Sequence, residues 1–262
     1  MSSFSRVAGA FTAALRKIGI AGLGLVALAG VHGAQAQEID RGQIEEIVRE
    51  YLLKNPEVIA EALTELERRE KETAELARLQ AVTDSADVLF NSTRQVVLGN
   101  PDGAITLVEF FDYNCGYCKR AYGDMVRLIE EEPDLRVVLK EFPVLGQGSV
   151  EAAQVAVAVN LIAPEKYADF HEALLLQRGQ ANKTSALKAA TDLGLEAETV
   201  AAIMAGDEAG QTIEEVYSIA NRLGLTGTPS YVIGNEVVMG AVGFDQLKQR
   251  ITALKACDET SC

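Results

Sequence analysis

FFDYNCGYCK occupies residues 110–119 and joins a strongly apolar run to a more polar one. Residues 104–111 have the β-branched and aromatic composition of a strand, and residues 116–131 have the pattern of a helix that ends before Pro133. Cys115 therefore falls at the start of the helix, where unpaired backbone N–H groups and the helix dipole stabilise a negatively charged sulfur.

The C-x-x-C spacing brings the second sulfur, that of Cys118, within bonding distance of the first in a single helical turn. A thiolate at Cys115 can attack a disulfide, and Cys118 can then displace the captured sulfur. An isolated C-x-x-C pair is equally compatible with a structural disulfide or with half of a metal site. The position between a strand and a helix favours thiol–disulfide exchange, and a chain of this length forms a core without disulfides.

The segments on the C-terminal side of the motif predict a mixed α/β architecture. Residues 135–142 form a second apolar strand, so that strand, helix and strand follow one another as in parallel sheets. A long helical region covers about residues 145–223, and the two-residue turn Gly234-Asn235 then indicates a hairpin. A last helix is expected over about residues 244–255.

The N-terminal side is charged and helical in pattern. Between residues 37 and 91, apolar residues recur at spacings of three and four, beginning with Ile44, Ile47, Val48, Tyr51 and Leu52. Such an arm has too little apolar surface to fold by itself. We expect it to associate with copies of itself through residues 38–82, as a trimer or dimer; packing on its own body, or flexibility, is the alternative. The compact domain, residues 92–256, is predicted to begin near Ser92.

Residues 1–36 have the features of a cleavable secretory signal. A basic start is followed by a short apolar run over residues 18–31 and by the small residues of Ala34-Gln35-Ala36. The apolar run is shorter than the ~20 residues that a membrane span needs, so a retained anchor is the less favoured alternative. This pattern predicts a periplasmic protein.

The net charge excludes one class of partner. The chain carries a formal net charge of −14, and loss of the three basic residues among residues 1–36 lowers the charge to −17. Such a surface repels phosphates, so we do not expect nucleic acid as a partner. No motif predicts a cofactor.

All four cysteines lie beyond residue 36, in two close pairs. In an oxidising compartment, an even number of cysteines is expected to form disulfides. Cys257 and Cys262, in the polar tail of residues 257–262, are therefore predicted to form a small surface disulfide. A second redox pair or metal-binding pair is the alternative.

The motif at residues 110–119 resembles the active-site segment of the DsbA-like disulfide oxidoreductases. Two further segments are similar to that family: residues 140–143 (KEFP) after the active-site helix, and residues 224–230 (GLTGTPS) before a strand. The helical region has the size and position of the family's inserted helical domain. The resemblance covers about residues 95–255. It implies an α/β thioredoxin-like fold with an inserted helical domain, preceded here by the N-terminal helical arm.

The resemblance also implies further site residues. Pro229 is expected to be cis and to face the cysteine pair, which exposes the backbone of Thr228 to an extended substrate chain; a trans proline at a strand start is the alternative. The family has a buried acid and a lysine below the cysteines, at the positions of Glu109 and Lys140. These two residues are expected to pair and to ease proton transfer at Cys118, and a plain salt bridge between strands is the alternative.

The dipeptide between the cysteines, Gly116-Tyr117, carries no cation, whereas strong oxidants of this fold often place a histidine there. His171 is interpreted as an ordinary helix residue. We therefore expect a redox couple near the isomerase range of about −180 mV or lower. The Cys-Gly-Tyr-Cys motif, a threonine before the expected cis-proline and the helical arm resemble the suppressor-of-copper-sensitivity (ScsC) group, which couples such an arm to isomerase activity.

This resemblance implies a periplasmic disulfide isomerase or reductase that acts on exported proteins and needs a membrane redox partner. A monomeric DsbA-type dithiol oxidase is the first alternative. The second belongs to another class, because reduced Cys115 and Cys118 form a soft two-thiolate site suited to Cu(I). A non-enzymatic scaffold or chaperone is the third.

Overall fold

The computed structural model describes residues 40–257 and 259–262. The predicted signal peptide, residues 1–36, lies outside the described residues. The described residues divide into two units, one that extends to Val58 and one that begins at Ile59. None of the helices described combines the length and apolarity that crossing a bilayer requires.

The described part of the first unit consists of helix α1 (Arg41–Lys54) and the start of helix α2 (Glu57–Asp84). Pro56 separates them, because proline disfavours the helical conformation of the residue before it. The side-chain amide of Asn55 donates to the carbonyl oxygen of Tyr51 and so closes α1. One face of α1 carries apolar side chains that are 47–64% exposed: those of Ile44, Ile47, Val48 and Tyr51.

A five-stranded sheet forms the centre of the second unit, in the order β1-β3-β2-β4-β5. In the part of the chain that the structure describes, β2 and β3 are the one parallel pair; β1, β4 and β5 each run antiparallel to their neighbours. The strands are β1 (Val96–Gly99), β2 (Ile105–Phe111), β3 (Leu135–Glu141), β4 (Ser230–Ile233) and β5 (Glu236–Met239).

Helices cover both faces of this sheet. One helix crosses from β2 to the parallel β3, five follow in an insertion between β3 and β4, and one closes the chain. The helices are α3 (Ala86–Asn91), α4 (Gly116–Glu131), α5 (Gln147–Ile162), α6 (Tyr167–Leu176), α7 (Lys183–Asp192), α8 (Ala197–Met204), α9 (Asp207–Arg222) and α10 (Phe244–Cys257), with a short 3₁₀ turn at Pro164–Lys166. The breaks between α5 and α9 fall where the sequence places proline or glycine.

The alternation of side chains along β2 divides the core into two clusters. Leu107 and Phe111 point into a cluster that includes residues of α4 to α8 and α10. Val108 and Phe110 point to the other face, where α3, α9 and the end of α2 pack. The predicted thioredoxin-like fold with an inserted helical domain and an N-terminal helical region is confirmed.

The compact unit begins earlier than the predicted start near Ser92. Val82, at the end of α2, is 3% exposed, and Leu89, in α3, is fully buried in the second cluster with Val108 and Phe110. The charged, helical pattern of this segment led to its assignment to the arm. The apolar residues that fix it to the sheet are confined to residues 81–90, and this stretch is too short to give a signal by periodicity.

Candidate active site

Cys115 is the N-cap residue of α4, as predicted, and both it and Cys118 are free thiols. The backbone N–H of Cys118 donates to Cys115 Sγ at 3.4 Å. Cys115 Sγ in turn donates to the carbonyl oxygen of Thr228 at 3.1 Å. The first turn of the helix thus directs an N–H group at the sulfur, where a negative charge is stabilised.

The access to Cys115 is narrow. Cys115 is 6% exposed and Cys118 is 1% exposed, so the first sulfur is the more accessible of two largely buried ones. The two residues between them, Gly116 and Tyr117, are both exposed, Tyr117 to 60%. The guanidinium of Arg120 stacks over the Tyr117 ring at 4.3 Å from its centroid.

The loop that contains Pro229 lies beside the cysteine pair. The Thr228–Pro229 peptide bond is cis, as the resemblance implied, and Pro229 is buried. Ser230 begins β4 and lies opposite Phe110 of β2 in the sheet register. Because β2 ends just before the cysteines, this register brings the Thr228 carbonyl next to Cys115.

Cys118 has an acidic neighbour below it. Burial raises the pKa of the Cys118 thiol well above its ordinary value, and the charges of Glu109 and Cys115 contribute to the rise. Glu109, in β2, is itself 4% exposed, and burial raises its pKa to about 8. Cys118 is therefore a neutral thiol at neutral pH and needs a proton acceptor before it can act as a nucleophile.

The predicted pairing of Glu109 with Lys140 is wrong. Lys140 lies opposite Phe110 in the parallel register of β2 and β3, whereas Glu109 lies opposite Leu139. Neighbouring residues of a strand face opposite sides of the sheet, so the two charges are separated by it. The ammonium of Lys140 donates instead to the carbonyl oxygen of Val88, at 3.0 Å, and burial lowers its pKa to about 8.

Asp112 holds the loop before the cysteines in place. Its carboxylate is 1% exposed and accepts three hydrogen bonds, from the backbone N–H of Asn114 at 2.7 Å, the hydroxyl of Ser149 at 2.8 Å and the backbone N–H of Leu145 at 2.9 Å. The backbone N–H of Cys115 also donates to the Asp112 carbonyl. In the sequence Asp112 is only part of the motif, and no role was predicted for it.

Asn114 joins the same loop to the helical insertion. Its amide accepts from the backbone N–H of Ala181 at 2.7 Å and donates to the carbonyl of Ala181 at 2.9 Å. Gly148 permits this approach, because a Cβ at position 148 would come within 2.8 Å of the Ala181 carbonyl oxygen. The cysteine pair is thus fixed to the insertion through its preceding residue.

A buried polar cluster lies under the motif, and sequence reasoning missed it. The carboxyl group of Glu141 accepts from the hydroxyls of Tyr167 at 2.8 Å and Tyr113 at 3.2 Å. His171 Nδ1 lies 3.2 Å from the Tyr113 hydroxyl, so His171 is not the ordinary helix residue it was expected to be. Burial raises the pKa of Glu141 and lowers that of His171 to about 3, so the histidine is neutral. A charge inside an apolar strand was the available signal for Glu141.

The other two cysteines form a disulfide at the end of the chain. Cys257 and Cys262 are bonded and exposed, in agreement with the predicted surface disulfide. The tail packs on the β4–β5 turn, where Thr260 Cγ2 would lie 3.4 Å from a Cβ at Gly234. This turn is at the end of β4 away from Thr228.

The Cu(I) alternative has little support from the side chains. Within residues 40–257 and 259–262, no three His, Cys, Asp or Glu residues are grouped as a metal site would need. Binding of Cu(I) at Cys115 and Cys118 stays a prediction that depends on two thiols alone.

The geometry predicts unequal reactivity of the two thiols. In a Cys118→Ser variant, Cys115 should react with iodoacetamide at pH 7.5 at least about tenfold faster than Cys118 does in a Cys115→Ser variant, because Cys118 is more buried and its thiol stays protonated. Mass spectrometry of timed, quenched samples gives both rates. Equal rates, or faster labelling of Cys118, would contradict the assignment of Cys115 as the attacking sulfur.

Solved structures share this architecture, and a curated protein has a similar sequence. A thioredoxin-like oxidoreductase from Silicibacter pomeroyi is 40% identical; the match covers 65% of this chain and 98% of that one, with a TM-score of 0.63. A linker-deletion variant of Proteus mirabilis ScsC is 27% identical over 84% of this chain and 99% of that one, with a TM-score of 0.65. Disulfide bond formation protein D of Bacillus subtilis is 25% identical over 60% of this chain and 75% of its own length.

Two family descriptions match separate parts of the chain. The N-terminal domain of the copper resistance protein ScsC matches residues 40–72, which include α1. The DSBA-like thioredoxin domain matches residues 106–252, which include the cysteine pair, the helical insertion and the cis-proline loop. The second match covers more than half of the chain, and the chain therefore belongs to the DsbA-like family of thioredoxin-fold thiol–disulfide oxidoreductases.

Proposed function

We propose that this protein is a periplasmic disulfide isomerase or reductase that acts on exported proteins through Cys115 and Cys118. The observation that carries the proposal is the environment of the Cys115 sulfur, between the N–H group of Cys118 and the carbonyl of Thr228. The basic, apolar and small-residue order of residues 1–36 supports export. Substrates and a membrane redox partner follow from the family assignment and belong to the proposal.

The reaction has two exchange steps. The Cys115 thiolate attacks one sulfur of a substrate disulfide, forms a mixed disulfide and releases the other substrate sulfur as a thiolate. In isomerisation, a different substrate thiolate then attacks the mixed disulfide and releases Cys115 unchanged. In reduction, Cys118 attacks Cys115 Sγ, the substrate leaves as a dithiol, and the protein keeps the Cys115–Cys118 disulfide.

We assign to Glu109 the role of accepting the proton of the Cys118 thiol. It lies on the same face of the sheet as the cysteine pair, and its charge contributes to the raised pKa of the Cys118 thiol. A carboxyl group with a pKa of about 8 is a stronger base than an ordinary carboxylate, and in its ionised form it can accept the proton of Cys118. Lys140 has no part in this step, since it lies across the sheet.

Replacement of Glu109 by Gln tests this role. The mixed disulfide between Cys115 and glutathione is trapped at pH 4, and the rate at which Cys118 resolves it is measured by rapid mixing into buffers of pH 6 to 9.5. The wild-type rate should rise through about pH 8, and the variant should be about tenfold slower or more and lack that inflection. A Lys140→Met variant, changed on the other face of the sheet, should keep the inflection near pH 8. Loss of the inflection in the Lys140→Met variant, or an inflection that persists in the Glu109→Gln variant, would remove Glu109 from the step.

The choice between isomerase and oxidase depends on what happens to the mixed disulfide. The exposed Gly116-Tyr117 dipeptide carries no cation within it, and this favours a couple less oxidising than that of DsbA. The likeness to a disulfide bond formation protein favours the alternative, a DsbA-type dithiol oxidase. Two assays on the mature protein separate the two functions.

We expect the reduced protein to restore the activity of a scrambled disulfide substrate, and the oxidised protein to oxidise a reduced peptide only slowly. In the first assay, a Cys115→Ser variant should lose all activity, whereas Cys118→Ser should keep a measurable part, because isomerisation needs only the first sulfur. Fast peptide oxidation without reshuffling would establish the oxidase alternative.

The exposed apolar face of α1 supports assembly of several copies. Ile47 and Tyr51 lie one turn apart on this face and are 64% and 56% exposed. Single exposed apolar residues are common, whereas a continuous helical stripe of them indicates an interaction surface. We propose that residues 38–82 associate as a dimer or trimer, which would hold several cysteine pairs around one substrate.

An Ile47→Glu, Tyr51→Glu double variant should be monomeric by light scattering at concentrations where the wild-type protein is an oligomer. Buried charges on the apolar stripe would oppose association. Arg49→Gln, between the two positions on another face of α1, is the matched control and should stay oligomeric. A monomeric wild-type protein would end the proposal. A truncated protein that lacks the arm must keep Val82, which belongs to the core.

A further inference from the structure

Acidic residues are absent from four segments of this chain. The sequence contains 38 Asp and Glu residues, and none of them lies in residues 113–123, 142–150, 173–191 or 216–235. These four segments are far apart in the sequence and belong to α4, to α5 and the loop before it, to α6 and α7, and to the end of α9 with β4.

Hydrogen bonds bring the four segments together around the cysteine pair. Asn114 bonds to Ser149 and Ala181, and the ammonium of Lys119 donates to the carbonyl of Gln177 at 3.2 Å. Cys115 reaches Thr228 in the fourth segment. We call the exposed surface of these four segments the acid-free face. The acidic groups beneath it, Asp112 and Glu141 among them, are buried.

The cations of the acid-free face around the cysteine pair lack acidic partners among the described residues, whereas Lys188, towards the end of the third segment, pairs with Asp192 at 2.5 Å. Arg120 stacks on Tyr117 and lies beside Gly116, where a Cβ would be 3.9 Å from its guanidinium, yet it forms no ion pair with any described residue. Lys119 bonds only to a carbonyl, and Arg178 is exposed in the loop between α6 and α7. By contrast Arg127, two turns further along α4, pairs with Glu131 at 2.7 Å.

Acidic side chains lie at the borders of this face. Glu151 accepts from the backbone N–H of Lys183, and Glu172 lies near the Tyr122 hydroxyl. A cation without a partner keeps its capacity to bind a carboxylate, and a guanidinium binds one through two parallel hydrogen bonds. On a chain with a net charge of −14, the remaining surface repels such a ligand.

We propose that the acid-free face selects substrate segments that carry Asp or Glu beside the reacting cysteine, with Arg120 as the specificity-determining residue next to the pair. This inference rests on the exchange function proposed above and names its substrate class. The attraction between the face and such a segment raises the rate of encounter, and salt screens it.

Two peptides of equal length test the proposal. In each, the single cysteine forms a mixed disulfide with mercaptoethanol. In the acidic peptide two Asp residues flank the cysteine on each side, and in the basic peptide two Lys residues do. The rate constant of the reduced, full-length protein with each peptide is divided by that of dithiothreitol, which corrects for the intrinsic reactivity of the peptide. We expect an acidic-to-basic ratio of about 10 at low salt that falls to about 2 at 0.5 M salt.

Hydroxyethyl disulfide, which is small and uncharged, reports the exchange chemistry by itself. A protein that reacts with this reagent but shows equal corrected rates with the two peptides, or prefers the basic one, contradicts the acid-free face as a selector. A protein that reacts with none of the three contradicts the exchange function instead.

Substitutions on α4 locate the preference. Arg120→Gln should lower the acidic-to-basic ratio about threefold, and Arg120→Glu should bring it to about 1 or below. Arg127→Gln removes a positive charge from the same helix. Like Arg120, Arg127 stacks on an aromatic ring, that of Phe244, at 3.7 Å from its centroid. Arg127→Gln is the matched control and should leave the ratio unchanged. An equal fall in both Gln variants would show an effect of net charge and overturn the assignment to Arg120.

Discussion

The sulfur of Cys115 lies at the point where helix α4 begins, and the hydrogen bond from the Cys118 N–H to this sulfur is the interaction on which the site depends. The helix can begin there only because β2 ends at Phe111 and the carboxylate of Asp112 fixes the turn between them. A shift of the helix start by one residue would direct the free N–H groups at a different side chain.

The helical insertion covers the sheet, and it also holds this turn in place. Ser149 in α5 and Ala181 before α7 bond to the two residues that flank Tyr113, and Tyr113 itself reaches Glu141 and the helix α6 below. The carboxyl group of Glu141 is tolerated because two hydroxyls donate to it. Substrate contacts at the acid-free face and the rigidity of the cysteine pair therefore depend on the same helices.

The sequence predicts those features that are local. The C-x-x-C pair at a helix start, the glycine and proline breaks of the insertion and the Gly234-Asn235 hairpin are each signalled within a few residues, and the structure has all of them. The error over Glu109 and Lys140 has the opposite origin. Which face of the sheet each charge occupies depends on a pairing register between two strands, and one sequence contains no signal for a register at single-residue precision.

The same limit explains why His171 and Leu89 were misjudged. His171 meets Tyr113 from a distance of 58 positions, and Leu89 meets β2 after a long charged helix, so that neither contact leaves a local pattern. Asp112 and Glu141 carried a weaker signal, since each is an acid at the end of an apolar strand. Such residues are costly to bury without partners, so the sequence alone indicates that each needs hydrogen-bond donors in the fold.

The tail disulfide lies at the far end of β4, about 20 Å from the Thr228 carbonyl if each of the six steps from residue 228 to residue 234 adds about 3.3 Å. Its two sulfurs are beyond the reach of Cys115 in the same molecule, so one polypeptide holds two couples that equilibrate separately with their surroundings. A midpoint potential derived from the total thiol content of the denatured protein would average the two and describe neither.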